Sequence, residues 1–506
     1  MPTTDAAVDP AFRALPLRAV ADAALDRAAA LGARDAAVRV ERVRRYGTLL
    51  RDAAPVGDHD TTHTGLAVTV TAGGARGFAA AAGRPAPEEA AAVAERAVAV
   101  ARVLAADGHR APAPAAEPVY RDAVWAAPCR IDAFDASPAD RTARLVEWSE
   151  RLLAAPEVLH VLAKLRFTRE TKFYADSAGT VTLQQRTWIH PMLQALGVHP
   201  RTGAAAALRT LGPPTGRGLE YLDGDGWDWD AELAALPGLL GAKLAAPAVR
   251  PGRYDLVIDP SNLWLTLHET VGHATELDRA LGHETAYAGA SFATPDRLGS
   301  LRYGSPEMNV TADRTTEHGL ATVGFDDEGV AAQEWDLVTG GVLTGFQTDR
   351  GTAPLIGAGR STGCAYAEPG LHAPLTRMPN VCLRPAPGGP STEELIGGVT
   401  DGLYVVGSGS WSIDDRRRGF QFTAQRCHRI RGGRLAGQVN DVAYQGDTVG
   451  FWNSLRALGG PADHRVFGAD LCGKGQPVQT AAASHGSPAA VFEGVRVVDA
   501  SREAGL

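Results

Sequence analysis

Three residues within a run of six, His268, Glu269 and His273, are of the types that bind and use a metal ion. Zinc-binding helices commonly place two histidines on one face, with a Glu beside them that acts on a water molecule; the usual spacing is HExxH. Here the spacing is HExxxH, one residue longer. On a straight α-helix, residues i and i+5 point about 140° apart, so the two imidazoles diverge. A π-bulge, or a helix loosened at Gly272, would bring them together, and such bulges are frequent at functional sites. The spacing alone therefore leaves two readings, a distorted metal site or two structural histidines. Three candidates stand for a further ligand. His283 is ten residues on, in LGHETAYAG. Glu276 lies three past His273 and would either ligate or orient. Cys472 is distant, in LCGKGQ beside Lys474, and a neighbouring cation favours its thiolate. The chain has 50 basic residues but only four lysines, Lys164, Lys172, Lys243 and Lys474, so a lysine is weakly marked as chosen.

The elements that position these residues are legible. Residues 254–260 read as a strand ending at Pro260, and Ser261 and Asn262 offer N-cap side chains to the helix over 263–282. Upstream, helix signals cover 11–31, 87–104, 139–154 and 230–245. Strand signals cover 37–41, 65–72, 76–79, 160–168 and 181–190. A Pro/Ala stretch at 111–118 divides this region. Beyond 250, short β-like runs separated by glycines dominate. The expected fold class is α+β. An N-terminal mixed α/β region (1–248, two sub-units split near 111–118) precedes a mainly β domain (249–506) that begins with the metal-binding helix.

Composition narrows the function. The 506 residues are 45% hydrophobic and 21% charged, with net charge −8. Disordered, fibrous and coiled-coil classes are excluded. An acidic balance does not favour nucleic acid, and no apolar run approaches the roughly 20 residues needed to span a bilayer. No signal-peptide core is evident, and the reading is a soluble, cytoplasmic protein. The basic run Arg416-Arg417-Arg418 reads as a solvated turn beside Asp414 and Asp415. Five cysteines, an odd number, do not form a disulfide framework. Cys364, Cys382 and Cys427 read as small buried hydrophobes, and Cys129 has no assigned role.

HETVGHATELD resembles the HExxxH helix of the TldD/PmbA family of metallopeptidases, historically called modulators of DNA gyrase. The resemblance extends to GFDDEGV (324–330), GGVLTGFQTDR (340–350), RMPNVCLRPAPGGPSTEELIGGVTDGLYV (377–405), LCGKGQPVQ (471–479) and SHGSPAAVFEGVRV (484–497). In the first half AAVRVERVRR and GLAVTVTAGGARGFA are similar to the family's N-terminal strands. WSIDDRRRGFQF (411–422) departs from the family's Gly-rich segment.

The resemblance implies a TldD-type, metal-binding subunit. Zn2+ would be held by His268, His273 and Cys472, with Glu269 as general base and His283 set aside. Glu276, Asp278 and Lys474 would support the ligands. The substrate would be an extended or unfolded peptide, or a peptide-like intermediate, taken by strand addition. The expected partner is a metal-free TldE/PmbA-like paralogue, with no membrane and no direct nucleic-acid contact. Alternatives are a non-catalytic assembly subunit, a DNA-associated regulator and a dedicated natural-product maturation hydrolase.

Overall fold

The computed structural model describes residues 8–368 and 370–503. The N-terminal half is built on one seven-stranded sheet. Its order is Ala75–Ala82, Ala54–Ala72, Asp35–Arg51, His160–Asp176, Val181–Val198 and Ala123–Ala126, with Ala205–Arg209 also pairing on Val181–Val198. Strands from both sides of residues 111–118 thus share a sheet. Four strands run 17 to 19 residues, far beyond the cores visible in the sequence. Polar and charged residues line much of their length and conceal the alternation.

One face of this sheet carries two helix pairs, end to end. Leu17–Ala30 and Pro87–Ala106 cover Val38, Val40, Val68 and Phe173. Pro138–Leu153 and Trp229–Ala245 cover Tyr46, Leu165, Phe167 and Ile189. The expected helix over 11–31 is interrupted before Leu17 by Pro16. The opposite face alternates out of register with the apolar one and buries Arg39, Glu41, Glu170, Lys172 and Arg186. These meet the C-terminal half. Lys172 donates to Asp327, Gln184 to the Phe325 carbonyl, and Tyr366 to Glu170.

In the C-terminal half, strands Asp401–Ile413, Gly252–Ile258, Ala490–Asp499, Val442–Asp447 and Gly419–Arg431 follow one another. The last pairs back on the first, which closes a five-stranded ring. Only the Asp401–Ile413 to Gly252–Ile258 pairing is parallel in this ring. The helix Pro260–Leu267 leaves the strand Gly252–Ile258, and Leu263, Leu265 and Leu267 join Val405, Phe422 and Tyr444 in the core. Its depth is set by polar contacts. Asn262 donates to the Gly407 and Thr423 carbonyls, and Tyr444 links Asn262 to Thr266. The hairpin Arg465–Lys474/Gln479–Ser487 lies beside this helix. No helix among the described residues is long and apolar enough to cross a membrane.

Candidate metal centre

The helix starts one turn earlier than its polar residues suggest. Asp259, not Ser261 or Asn262, is the N-cap; it accepts from the Ser261 N–H, and Pro260 occupies the first turn. Ser261 and Asn262 are buried inside the helix instead. Nor is the helix continuous to residue 282. The α-helical part ends at Leu267, His268–Gly272 forms a π turn, His273–Thr275 a 3₁₀ turn, and Glu276 is extended. The His273 N–H bonds to the His268 carbonyl, the i to i+5 bond that defines a π turn. The widened turn brings the two imidazoles together, with ring centroids 4.8 Å apart.

The surroundings hold this irregular backbone. Tyr303 donates to the Thr270 carbonyl, Gln347 to the Gly272 carbonyl, and the Thr275 hydroxyl to the Val271 carbonyl. Buried carbonyls turned aside by the π turn thus find partners, as buried backbone groups must. A side chain at Gly272 would meet Met378 Sδ at 2.6 Å.

Cys472 arrives from the strand Arg465–Lys474, and its Sγ lies 3.3 Å from His273 Nε2. One donor atom from each of His268, His273 and Cys472 falls within 4.8 Å of the others, and all three residues are buried. His283 is exposed and outside this group.

The partners of the two rings fix their tautomers. His485 Nδ1 lies 3.1 Å from the Val381 carbonyl, which only accepts, so this nitrogen carries the proton. His485 Nε2 then accepts from His268 Nδ1 at 2.7 Å, and His268 Nε2 keeps its lone pair. His273 Nδ1 donates to Glu276 at 2.9 Å, and its Nε2 is the atom turned toward Cys472. Burial pushes His268 down and His485 well down, which keeps both neutral. Burial also pushes the Cys472 thiol up, but His273 and the Arg377 guanidinium outweigh it and the net shift is downward. Arg377 donates to the Cys472 carbonyl. The other four thiols are raised to about 11 or 12 by burial. No disulfide joins any of the five. Two imidazoles and one acidified thiol fit a soft-to-borderline divalent metal such as zinc.

Beneath His273 lies a fully buried ion cluster. Lys474 Nζ is 2.7 Å from Asp278, 3.1 Å from Glu284 and 3.3 Å from Glu276, and Arg279 reaches Glu276 and Glu284. Burial raises Glu276, but Lys474, His273 and Arg279 prevail and hold it well below the usual carboxylate range. Glu276 therefore stays anionic and receives the His273 proton donor. Asp278 touches Lys474, not an imidazole.

Glu269 faces a cleft of about 540 Å³ that His268, His273, Cys472 and Arg417 also line. A larger depression, about 740 Å³, lies by Trp227 and Arg144 and contains none of these groups; chemistry, not size, selects the smaller one. Burial raises the Glu269 carboxyl, while His273, His268 and Arg417 bring it net downward. Arg416 and Arg418 are exposed, as a solvated turn requires, but Arg417 is not: its Nη1 donates to Glu269 Oε2 at 2.7 Å. The Arg run concealed this role because its neighbours are ordinary surface residues. His485 was likewise unmarked, since a lone histidine 217 residues from His268 carries no spacing signal.

Residues 251–499 match the family profile described as PmbA/TldA metallopeptidase C-terminal domain. A metalloprotease of Methanothermobacter thermautotrophicus is 33% identical over 249 residues, 49% of this chain and 51% of that protein. A zinc metalloprotease TldD homolog of Saccharolobus solfataricus is 27% identical over 52% of this chain and 56% of the relative. The chain thus spans about half the length of the curated relatives it matches. Two solved structures share the fold. A putative modulator of DNA gyrase from Thermotoga maritima has a TM-score of 0.73 at 15% identity, over 94% of this chain and 99% of that one. TldE from Thermococcus kodakarensis has a TM-score of 0.72 at 15% identity, over 94% and 98%. By sequence, residues 251–499 belong to the TldD/PmbA family, and the likeness in fold runs through both halves of the chain.

Proposed function

We propose that the chain is a zinc-dependent peptidase, with His268, His273 and Cys472 as ligands and Glu269 as general base. The observation that carries this reading is the π turn, which gathers two imidazole nitrogens and a thiol at the wall of a cleft that Glu269 also faces. Zinc, when bound, supplies Lewis acidity to the scissile carbonyl and to the attacking water. Glu269 takes the proton of that water and passes it to the leaving amine. Arg417 keeps the Glu269 carboxylate ionised and aimed. Glu276 and His485 fix the ligand tautomers.

The strand Arg465–Lys474 pairs only with Gln479–Ser487 among the described strands, and its residues 467–473 line the cleft. An extended peptide would add to its other edge, satisfying backbone groups irrespective of side chains. A metal-free paralogous subunit is the proposed partner, and the likeness to a structure named TldE supports it.

The experiment is a comparison of wild type with Glu269→Gln. The variant should keep about one zinc per chain and lose about 10²–10⁴-fold in peptide turnover. Both proteins are assayed alone and with a co-expressed metal-free paralogue. Loss of zinc from a folded Glu269→Gln would make Glu269 a ligand. Full peptidase activity after exhaustive chelation would remove the metal from the reaction.

A further inference from the structure

The catalytic cleft is lined by three arginines and two carboxylates. Arg166 and His190 share Asp470, at 2.7 and 3.1 Å. Arg417 is taken by Glu269. Arg209 stands apart. Among the described residues no carboxylate lies within 4.0 Å of it, and one of its guanidinium N–H groups reaches a protein acceptor, the Ser408 carbonyl at 2.7 Å. The residue is half-buried, on the wall that Ser408 and Gln425 also form. Its backbone is pinned, since the Arg209 N–H donates to Gln425 Oε1 at 2.9 Å. Behind that wall sits a second cation, with no carboxylate among the described residues within 4.0 Å, although Asp441 acts on it from farther off. Lys243 Nζ donates to the Ala207 carbonyl at 3.2 Å and to the Gln425 carbonyl. Burial holds both cations down, and no acid offsets it at Arg209.

A guanidinium half out of water, held by its backbone and without a counter-ion, is an unfilled electrostatic demand. The planar fork of Arg meets a carboxylate with two parallel hydrogen bonds, and the flanking ammonium adds to the field. A neutral occupant would leave the charge uncompensated.

We propose that Arg209 is the carboxylate subsite of the cleft, binding either the C-terminal carboxylate of a peptide or the side chain of an Asp or Glu within it. This deepens the peptidase reading and rests on it for the identity of the occupant. It makes the enzyme selective among extended peptides, which strand addition alone would not.

The test is fluorescence anisotropy of labelled ten-residue peptides on the zinc-loaded full chain carrying Glu269→Gln, which prevents cleavage. One neutral peptide is compared with a free and an amidated C-terminus. A second, amidated, is compared with Glu or Gln at one internal position. Binding should weaken about tenfold or more when the relevant carboxylate is removed, and the arm that responds identifies its source. Adding Arg209→Gln should abolish the preference while leaving zinc content and melting temperature unchanged, and Arg209→Lys should retain part of it. Equal binding of all peptides, no binding of any, or a preference that survives Arg209→Gln would overturn the subsite. Turnover by the wild type is measured separately. Carboxylate-dependent binding without any turnover would leave the subsite standing and remove the peptidase reading; turnover indifferent to the carboxylates would do the reverse.

Discussion

Arg417 Nη1 lies 2.7 Å from Glu269 Oε2, across 148 residues of sequence. The arginine sits at the tip of the hairpin formed by Asp401–Ile413 and Gly419–Arg431, with φ at +61°, a left-handed conformation that L side chains rarely hold. Its carbonyl accepts from the Thr448 hydroxyl, which keeps the tip in place. Strain of this kind persists where the surroundings over-determine it.

Arg417→Ala should therefore keep zinc and fold but lower kcat about 10-fold or more, because a charge-assisted hydrogen bond that aims the base is lost. Metal analysis and steady-state kinetics check this. A rise in kcat would mean that Arg417 restrains Glu269 instead of aiming it.

The ligand set makes a second prediction, read by X-ray absorption on the zinc-loaded protein. Wild type should contain one sulfur scatterer near 2.3 Å with nitrogen near 2.0–2.1 Å. Cys472→Ser should lose the sulfur shell, whereas His283→Ala, an exposed site, should leave the spectrum unchanged. His485→Phe removes the acceptor for His268 Nδ1 and should weaken zinc binding about 10–100-fold without removing a ligand. A first shell of nitrogen and oxygen only would overturn the role of Cys472.

A third prediction concerns Lys474, which touches Glu276, Asp278 and Glu284 with a side chain that solvent does not reach. Removing one partner of a buried charge cluster leaves the others unpaired, at a cost of about 3–5 kcal/mol. Lys474→Met should lower denaturant stability by that order even in the zinc-free protein. A metal-only effect would show instead as a loss confined to the zinc-loaded form.

These residues differ in how far the sequence announced them. The HExxxH spacing contains its own geometric contradiction, and the π turn at His268–Gly272 is one of the two resolutions that the sequence offered; the spacing alone did not choose between them. The scarcity of lysine also spoke: Lys172 and Lys474 are both buried in ion networks. Cys472 depended on the family-like LCGKGQ segment, since nothing in spacing favours a ligand 199 residues from His273. His485 and Arg417 gave no signal, because each acquires its role only when the ring of strands and its hairpins close. The helix end was misjudged for a related reason. Asp259 reads as the end of a strand, yet it caps the helix and also accepts from Tyr404. In the N-terminal half, strands were recognised where apolar residues alternated cleanly with polar ones, Arg39 and Glu41 included, and lost beyond residue 168, where the buried face turns ionic at Glu170 and Lys172.

That ionic face carries the last prediction. Glu41 is fully buried beside Lys172 and Arg39, at 3.8 and 3.7 Å, yet among the described residues neither of its carboxylate oxygens has a hydrogen-bond partner. Lys172 gives its hydrogen bonds to Asp327, at 2.9 Å to each oxygen, and Glu170 takes Arg186 and the Tyr366 hydroxyl. Burial is the largest influence on Glu41; with Glu170 and Asp327 nearby it outweighs the two cations and raises the group to about 8. Glu170 goes the opposite way, to about 2, because Arg186 and Lys172 overcome its burial. Glu41 is therefore protonated in the folded protein at neutral pH and ionised in the unfolded chain above its ordinary value near 4.5. The folded state binds the extra proton between these limits, so its stability falls as pH rises from about 4.5 to 8, by at most about 1.4 kcal/mol per pH unit. Glu41→Gln, which keeps the shape without the titration, removes this loss. Denaturant unfolding at a series of pH values should find wild type and Glu41→Gln alike near pH 5 and the variant more stable by a few kcal/mol near pH 8. If wild type instead gains on the variant as pH rises from 4 to 6, Glu41 is ionised in the folded state and paired with Lys172 and Arg39.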